Sequence, residues 1–228
     1  AYHQVVYYVC GRRAGFVIDT VTAVFLFAAL AVMLAGAATV SRDYFSLPYG
    51  PALAVAGSAT VLTVWGGIRS VAFANMMLTP VLVVCILAIG LYSLVYHAFD
   101  PFLLTAPAAP AKQPAPHWLL ASLLYTSYNL AIGSTVLVPL GASVPLYVSR
   151  WGGGVLGGLI LGGLTVFLSL VVMVHYPHYL SQEMPFLAVA SQQHPLTSTI
   201  YAFVLLAAMF TTALASLYGC AGKIAAAI

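Results

Sequence analysis

Long apolar runs separated by short polar segments dominate this chain. A helix that crosses roughly 30 Å of hydrocarbon at about 1.5 Å per residue needs about 20 apolar residues. Runs of this kind predict six membrane-spanning helices, at 16–40, 49–67, 71–96, 118–148, 151–176 and 196–219. The pattern therefore predicts an all-α polytopic membrane protein that forms a single membrane domain over 1–228.

The composition agrees with a chain whose outer surface faces lipid. Hydrophobic residues make up 63% of it and charged residues 5%, with a formal net charge of +3, whereas soluble domains carry about 25% charged residues. The sequence contains no basic stripe that would hold the phosphates of a nucleic acid. We therefore expect membrane lipid, and no nucleic acid, as a partner.

Basic residues predict the orientation of the spans. Alternate threading places one group on the first face of the membrane, namely Arg12, Arg13, Arg69, Arg150 and Lys223, and leaves Arg42 and Lys112 on the other. Because Lys and Arg concentrate in cytoplasmic segments, the segment before the first span is expected to be cytoplasmic. The two longer connections, 98–117 and 177–195, then lie outside. The first is rich in proline, and the second suits a short helix in the membrane interface.

The fourth span carries an unusual polar interruption, formed by Ser127, Tyr128, Asn129, Gly133 and Ser134. Irregular backbone at bilayer depth survives only where it is buried in protein or lines a cavity. We therefore predict a discontinuous helix and a binding site for a small solute at these five residues. The alternative is that Asn129 makes an ordinary hydrogen bond to a neighbouring helix.

Further helix breakers on the same span support the predicted break: Pro139, Gly141 and Pro145. Each proline removes a backbone donor.

Hydroxyl groups on the last span form a second candidate site. Thr212 and Ser216 are one helical turn apart and Thr211 lies beside them, so their oxygens can converge. Oxygen ligands suit a hard cation such as sodium. The alternative is that each hydroxyl bonds to a carbonyl one turn earlier in its own helix.

Glycines repeat every four residues on the fifth span, at Gly154, Gly158 and Gly162. Small residues at this spacing let another helix approach closely in a membrane. We expect this face to be buried against protein, with sliding between two conformations as the alternative role.

The acidic residues do not indicate an enzyme. Asp19, Asp43, Asp100 and Glu183 are scattered towards span ends and connections, so no pair of carboxylates converges. We expect no catalytic residue and no organic cofactor.

Two short segments, read with the order of the spans, resemble a known family. The sequences LYTSYNL at 124–130 and FTTA at 210–213, with the proline-rich connector, resemble helices three to eight of the LeuT-type fold. More narrowly, 127–130 and 138–141 resemble the YkvI-type bacterial membrane proteins, which are relatives of the amino acid, polyamine and organocation transporters.

This resemblance implies a specific architecture and location. The six spans would belong to a 5+5 inverted-repeat bundle with a discontinuous helix, and the chain would be a fragment covering helices three to eight. The bundle would lie in the cytoplasmic membrane of a bacterium.

The resemblance also implies a function. Ser127, Tyr128, Asn129 and Gly133 would lie at the broken sixth helix where a solute binds, Thr211 and Thr212 at a sodium position, and Asp19 would be a peripheral charge. The implied activity is secondary transport of a small organic solute such as an amino acid, with sodium coupling expected and proton coupling open. The alternative is a ligand-sensing or assembly subunit of the same fold that transports nothing. The oligomeric state is not predicted.

Overall fold

The computed structural model describes residues 2–96, 115–143, 147–174, 185–193 and 195–227. The helices within these residues are α1 (Tyr2–Phe45), α2 (Tyr49–Trp65), α3 (Gly67–Tyr96), α4 (Trp118–Ser143), α5 (Tyr147–Val174), α6 (Pro185–Gln193) and α7 (Pro195–Ala227). Five of them, α1, α3, α4, α5 and α7, are long and apolar enough to cross a membrane, and α2 is an apolar helix of 17 residues. The chain is an all-α polytopic membrane protein, as the pattern predicts.

Large apolar side chains cover the outside of these helices. Phe27 on α1 is 67% exposed, Leu62 on α2 68% and Leu161 on α5 66%. Soluble proteins rarely expose continuous apolar surface of this kind. An apolar surface of this kind is suited to contact with lipid tails.

The helices form two compact units. The first contains α1, α2, residues 67–79 of α3, α4 and residues 205–227 of α7. The second contains residues 80–96 of α3, α5, α6 and residues 195–204 of α7. The division within α3 falls at Pro80, which interrupts the backbone hydrogen bonds of that helix.

A short turn joins α1 to α2 in the first unit. The amide of Ser46 donates to the Arg42 carbonyl over 3.1 Å, and that of Leu47 donates to the Ser41 carbonyl over 3.3 Å. The first of these bonds, with Ser46 at φ 54°, forms an αL C-cap motif that ends α1. Pro48 follows as the N-cap of α2, so the chain turns within a few residues and α2 contacts α1.

Helices α1 and α7 are antiparallel neighbours in the first unit. The Cys220 Sγ lies 3.8 Å from the Ala23 carbonyl oxygen. Further along, a Cβ atom at Gly36 would lie 3.0 Å from the Met209 Cε. Residue numbers thus rise along α1 as they fall along α7, which agrees with the alternate threading of the spans.

Helix α4 joins this pair at Thr135. The buried Thr135 hydroxyl lies 2.7 Å from the Ile132 carbonyl oxygen in its own helix and 3.0 Å from the Ala215 carbonyl oxygen of α7. Opposite it, a Cβ atom at Gly219 would lie 2.7 Å from Thr135 Cγ2 and 2.8 Å from Leu26 Cδ1. We call the contact of Leu26, Thr135 and Gly219 the three-helix junction, and it requires glycine at position 219.

The second unit packs around aromatic side chains. The rings of Phe186 and Tyr201 have centroids 4.9 Å apart, and a Cβ atom at Gly90 would clash with the Phe167 ring. The short helix predicted within 177–195 is confirmed as α6, and Leu187 and Val189 on it are buried. The connection 97–114 and the segment 175–184 lie outside the described residues.

The expected packing of the glycine face on α5 is wrong for the described part of the chain. A Cβ atom at Gly154, Gly158 or Gly162 would meet nothing within 4 Å. The repeat does make one side of the helix smooth, but the described helices pack elsewhere. Close approach occurs instead at Gly90 and Gly219, which belong to no glycine repeat.

The three-helix junction predicts a contrast between two glycines of α7. Gly219→Ala should destabilise the protein by about 1–3 kcal/mol, because the β-branched Thr135 must move to admit a methyl group. Gly222→Ala, where a Cβ meets nothing within 4 Å, should be neutral or should stabilise by up to about 1 kcal/mol through helix propensity. Unfolding of both variants in detergent, followed by circular dichroism, measures the difference. Equal stability of the two variants would contradict the junction.

Candidate functional site

The polar residues of α4 do not break the helix. Helix α4 is continuous from Trp118 to Ser143 and includes Pro139, so the predicted discontinuity at 127–133 is wrong. The Ser127 hydroxyl donates to the Leu123 carbonyl over 2.7 Å, and the Asn129 amide donates to the Tyr125 carbonyl over 2.8 Å. These side chains find partners one turn earlier in their own helix, so no irregular backbone is needed.

The predicted solute residues lie on more than one side of α4. Ser127 and Asn129 are exposed. Tyr128 is 40% exposed and also approaches α1, where its ring lies 6.2 Å from the Phe25 ring, centroid to centroid. Consecutive helical residues point about 100° apart, which accounts for this divergence. Ser134 donates to the Ala131 carbonyl over 2.9 Å, and a Cβ at Gly133 would meet only its own helix, 3.7 Å from Leu137. Of the additional breakers, Gly141 is helical and Pro145 lies outside the described residues.

The hydroxyls predicted as ion ligands on α7 partly converge. Thr211 and Thr212 both donate to the Ala208 carbonyl, over 2.9 and 3.0 Å. The two hydroxyl groups therefore share one backbone acceptor, in the intrahelical arrangement that was the alternative interpretation of this cluster. Ser216, one turn further on, is fully buried, and its hydroxyl has no hydrogen-bond partner among the described residues.

Asp19 is buried, which corrects the expectation that it is a peripheral charge. It is 5% exposed, and its Oδ2 lies 3.3 Å from the Lys223 Nζ on α7. The same ammonium group is 3.4 Å from the Thr20 hydroxyl oxygen. The second carboxylate oxygen of Asp19, Oδ1, has no hydrogen-bond partner in the described part of the chain. A buried carboxylate is costly without compensation, so the lysine stabilises it in this position.

Polar groups recur along the side of α7 that carries these contacts. Thr212, Ser216, Cys220 and Lys223 are spaced by four, four and three residues, which places them on one helix face. We call these four residues the α7 polar stripe. Two of them, Cys220 and Lys223, contact α1 directly.

The sequence also contains a signal for the ion pair between Asp19 and Lys223. Asp19 lies within a predicted span and Lys223 just beyond another, and the threading puts both at the same face of the membrane. Opposite charges at one depth on two spans favour an ion pair.

An apolar cavity lies in the first unit, and none of the four stripe residues lines it. It has a volume of about 310 Å³ and lies between α1, α2 and α7. Its lining includes Met33, Ala52 and Phe210, and among the described residues that line it Ser41 alone carries a hydroxyl. The cavity therefore offers shape and apolar surface, with a single polar anchor.

Comparison with known proteins gives the same class of protein as the fold. The chain is similar to an uncharacterised membrane protein, YkvI, of Bacillus subtilis (strain 168), with 22% identity over 222 residues. The aligned region covers 96% of this chain and 61% of that relative, so the chain spans less than two thirds of the relative's length. No family model and no solved structure matches the chain.

The ion pair predicts an asymmetric response to mutation. Lys223→Met should destabilise the protein by about 3–5 kcal/mol, because it leaves the buried Asp19 carboxylate uncompensated. Asp19→Asn should cost less, about 1–3 kcal/mol, because the lysine side chain is 27% exposed and can reach the headgroup region. Denaturation in detergent measures both, and the double variant should be close to the Asp19→Asn variant. A larger loss for Asp19→Asn than for Lys223→Met would contradict this account.

Proposed function

We propose that this chain takes part in secondary transport of a small organic solute, such as an amino acid, across a bacterial cytoplasmic membrane, within a LeuT-type bundle. The observation that carries the proposal is the α7 polar stripe, in which Ser216 is fully buried and Cys220 and Lys223 contact α1. Polar and charged groups are expensive inside a membrane and mark ion and solute pathways. The similarity to YkvI supports a membrane role and names no substrate.

The proposed ion position is on α7. Thr211 and Thr212 both donate to the Ala208 carbonyl, and each hydroxyl oxygen keeps lone pairs that can face a cation. Ser216 would supply a further buried oxygen that has no partner among the described residues. Sodium is the ion we propose for this group.

The proposed solute position is on α4, around Ser127, Tyr128, Asn129, Gly133 and Ser134. The hydrogen bond from Asn129 to the Tyr125 carbonyl uses one amide hydrogen. The side-chain carbonyl oxygen of the amide remains able to pair with a polar solute. Tyr128 adds an aromatic surface whose ring lies edge-on to that of Tyr125, with centroids 5.2 Å apart.

Uptake by the full-length protein in lipid vesicles tests the proposal. Labelled amino acids should accumulate saturably when a sodium gradient is applied and should not accumulate when the gradient is absent. Asn129→Ala should raise the half-saturating solute concentration by up to about tenfold, the value of one hydrogen bond. Thr212→Ala should chiefly raise the sodium concentration required.

Matched controls distinguish these effects from general damage. Ser122→Ala on α4 and Thr63→Ala on α2 each remove a hydroxyl that bonds within its own helix, and both should transport as the wild type does. Saturable binding without flux would contradict transport and favour the ligand-sensing alternative. Unchanged solute and sodium dependence in both site variants would contradict the residue assignment.

A further inference from the structure

The start of α1 folds back on itself at a glycine. Gly11 has φ 74° and ψ 176°, a backbone conformation that is essentially restricted to glycine. Tyr7 and Gly15 each lie four residues from this point, and a Cβ atom at Gly15 would be 2.9 Å from Tyr7 Cδ1. The first helical segment, 2–10, therefore packs against the beginning of the second.

This reversal forms a basic cavity. A volume of about 580 Å³ is lined by Tyr7, Arg12, Arg13 and Phe16. Both arginines are exposed, and neither makes an ion pair within the described residues. Arg42 differs, because its Nε lies 2.8 Å from the Asp43 Oδ1. Two guanidinium groups match the charge of a phosphate group, and each can pair with two of its oxygens.

The position of the cavity along α1 indicates where that phosphate comes from. Apolar helix begins directly after Arg13, and Phe16, Val17 and Val24 on it are 63%, 59% and 66% exposed. The apolar stretch 14–40 is about 40 Å long at about 1.5 Å per residue, enough to cross the hydrocarbon. The arginines thus lie at headgroup depth, with exposed apolar surface leading away from them into the membrane.

We propose that Tyr7, Arg12, Arg13 and Phe16 form a binding site for the headgroup of an anionic phospholipid. The two arginines pair with the phosphate oxygens, and the acyl chains follow the exposed apolar side of α1 that begins at Phe16. Tyrosine at headgroup depth is typical of membrane proteins, because its ring suits apolar surroundings and its hydroxyl suits water. This site is independent of the proposed transport function.

Lipid binding to the purified chain in nanodiscs tests the site. The probe is phosphatidylglycerol titrated into phosphatidylcholine nanodiscs, with retained lipid counted by native mass spectrometry. The double variant Arg12→Gln/Arg13→Gln should lower the affinity for phosphatidylglycerol roughly 30-fold, from the attraction of two basic residues to an anionic membrane surface. The wild-type affinity should fall with added salt more steeply than that of the variant.

A control with the same loss of charge separates this site from overall electrostatics. Arg42→Gln/Arg69→Gln also removes two exposed arginines and should retain the wild-type affinity. An equal loss in this control, or no loss in Arg12→Gln/Arg13→Gln, would overturn the proposal. Glycerol 3-phosphate should not displace the lipid; displacement at comparable concentration would show a site for soluble phosphate esters and would also overturn it.

Discussion

A hydroxyl or amide that a spanning helix carries into hydrocarbon must find its partner inside the protein, because lipid offers none. In α4, Ser127 and Asn129 meet this requirement through carbonyls one turn earlier, and the helix stays continuous. Thr135 meets it partly in a neighbouring helix, α7, through the Ala215 carbonyl. Among the described residues, two buried polar groups have no hydrogen-bond partner: the Ser216 hydroxyl and the Oδ1 atom of Asp19. Ser216 lies on the α7 polar stripe and Asp19 pairs with Lys223 of that stripe, so the unsatisfied polar chemistry concentrates there.

Helix existence could be predicted from the sequence, because the length of an apolar run is a local property. Five long helices and the shorter α2 follow from it directly. The break in α4 could not be judged in this way. Ser127 and Asn129 show that polar atoms are present, but not whether their partners lie in the same helix or elsewhere. The same ambiguity affected Thr211 and Thr212, which both donate to the carbonyl of Ala208 in their own helix.

Contacts between distant helices were the least predictable part. The glycine repeat on α5 identifies a smooth face, yet no described residue covers Gly154 or Gly158. Gly219 belongs to no such repeat, but a Cβ atom at this position would clash with Thr135 and Leu26. Asp19 and Lys223 are far apart along the chain, and only the antiparallel pairing of α1 with α7 brings them together. Periodicity shows which side of a helix can be approached, whereas the fold decides which neighbour approaches it.

The pairing of α1 with α7 underlies the junction, the ion pair and the polar stripe, and cross-linking in the membrane tests it most directly. Cys220 already lies beside the Ala23 carbonyl, so Ala23→Cys in a protein that lacks Cys10 and Cys85 creates a pair that an oxidant can join. The account predicts rapid formation of an intramolecular disulfide, and none when the new cysteine replaces Phe27, which is 67% exposed. Failure of positions 23 and 220 to cross-link, or equal cross-linking from position 27, would contradict it.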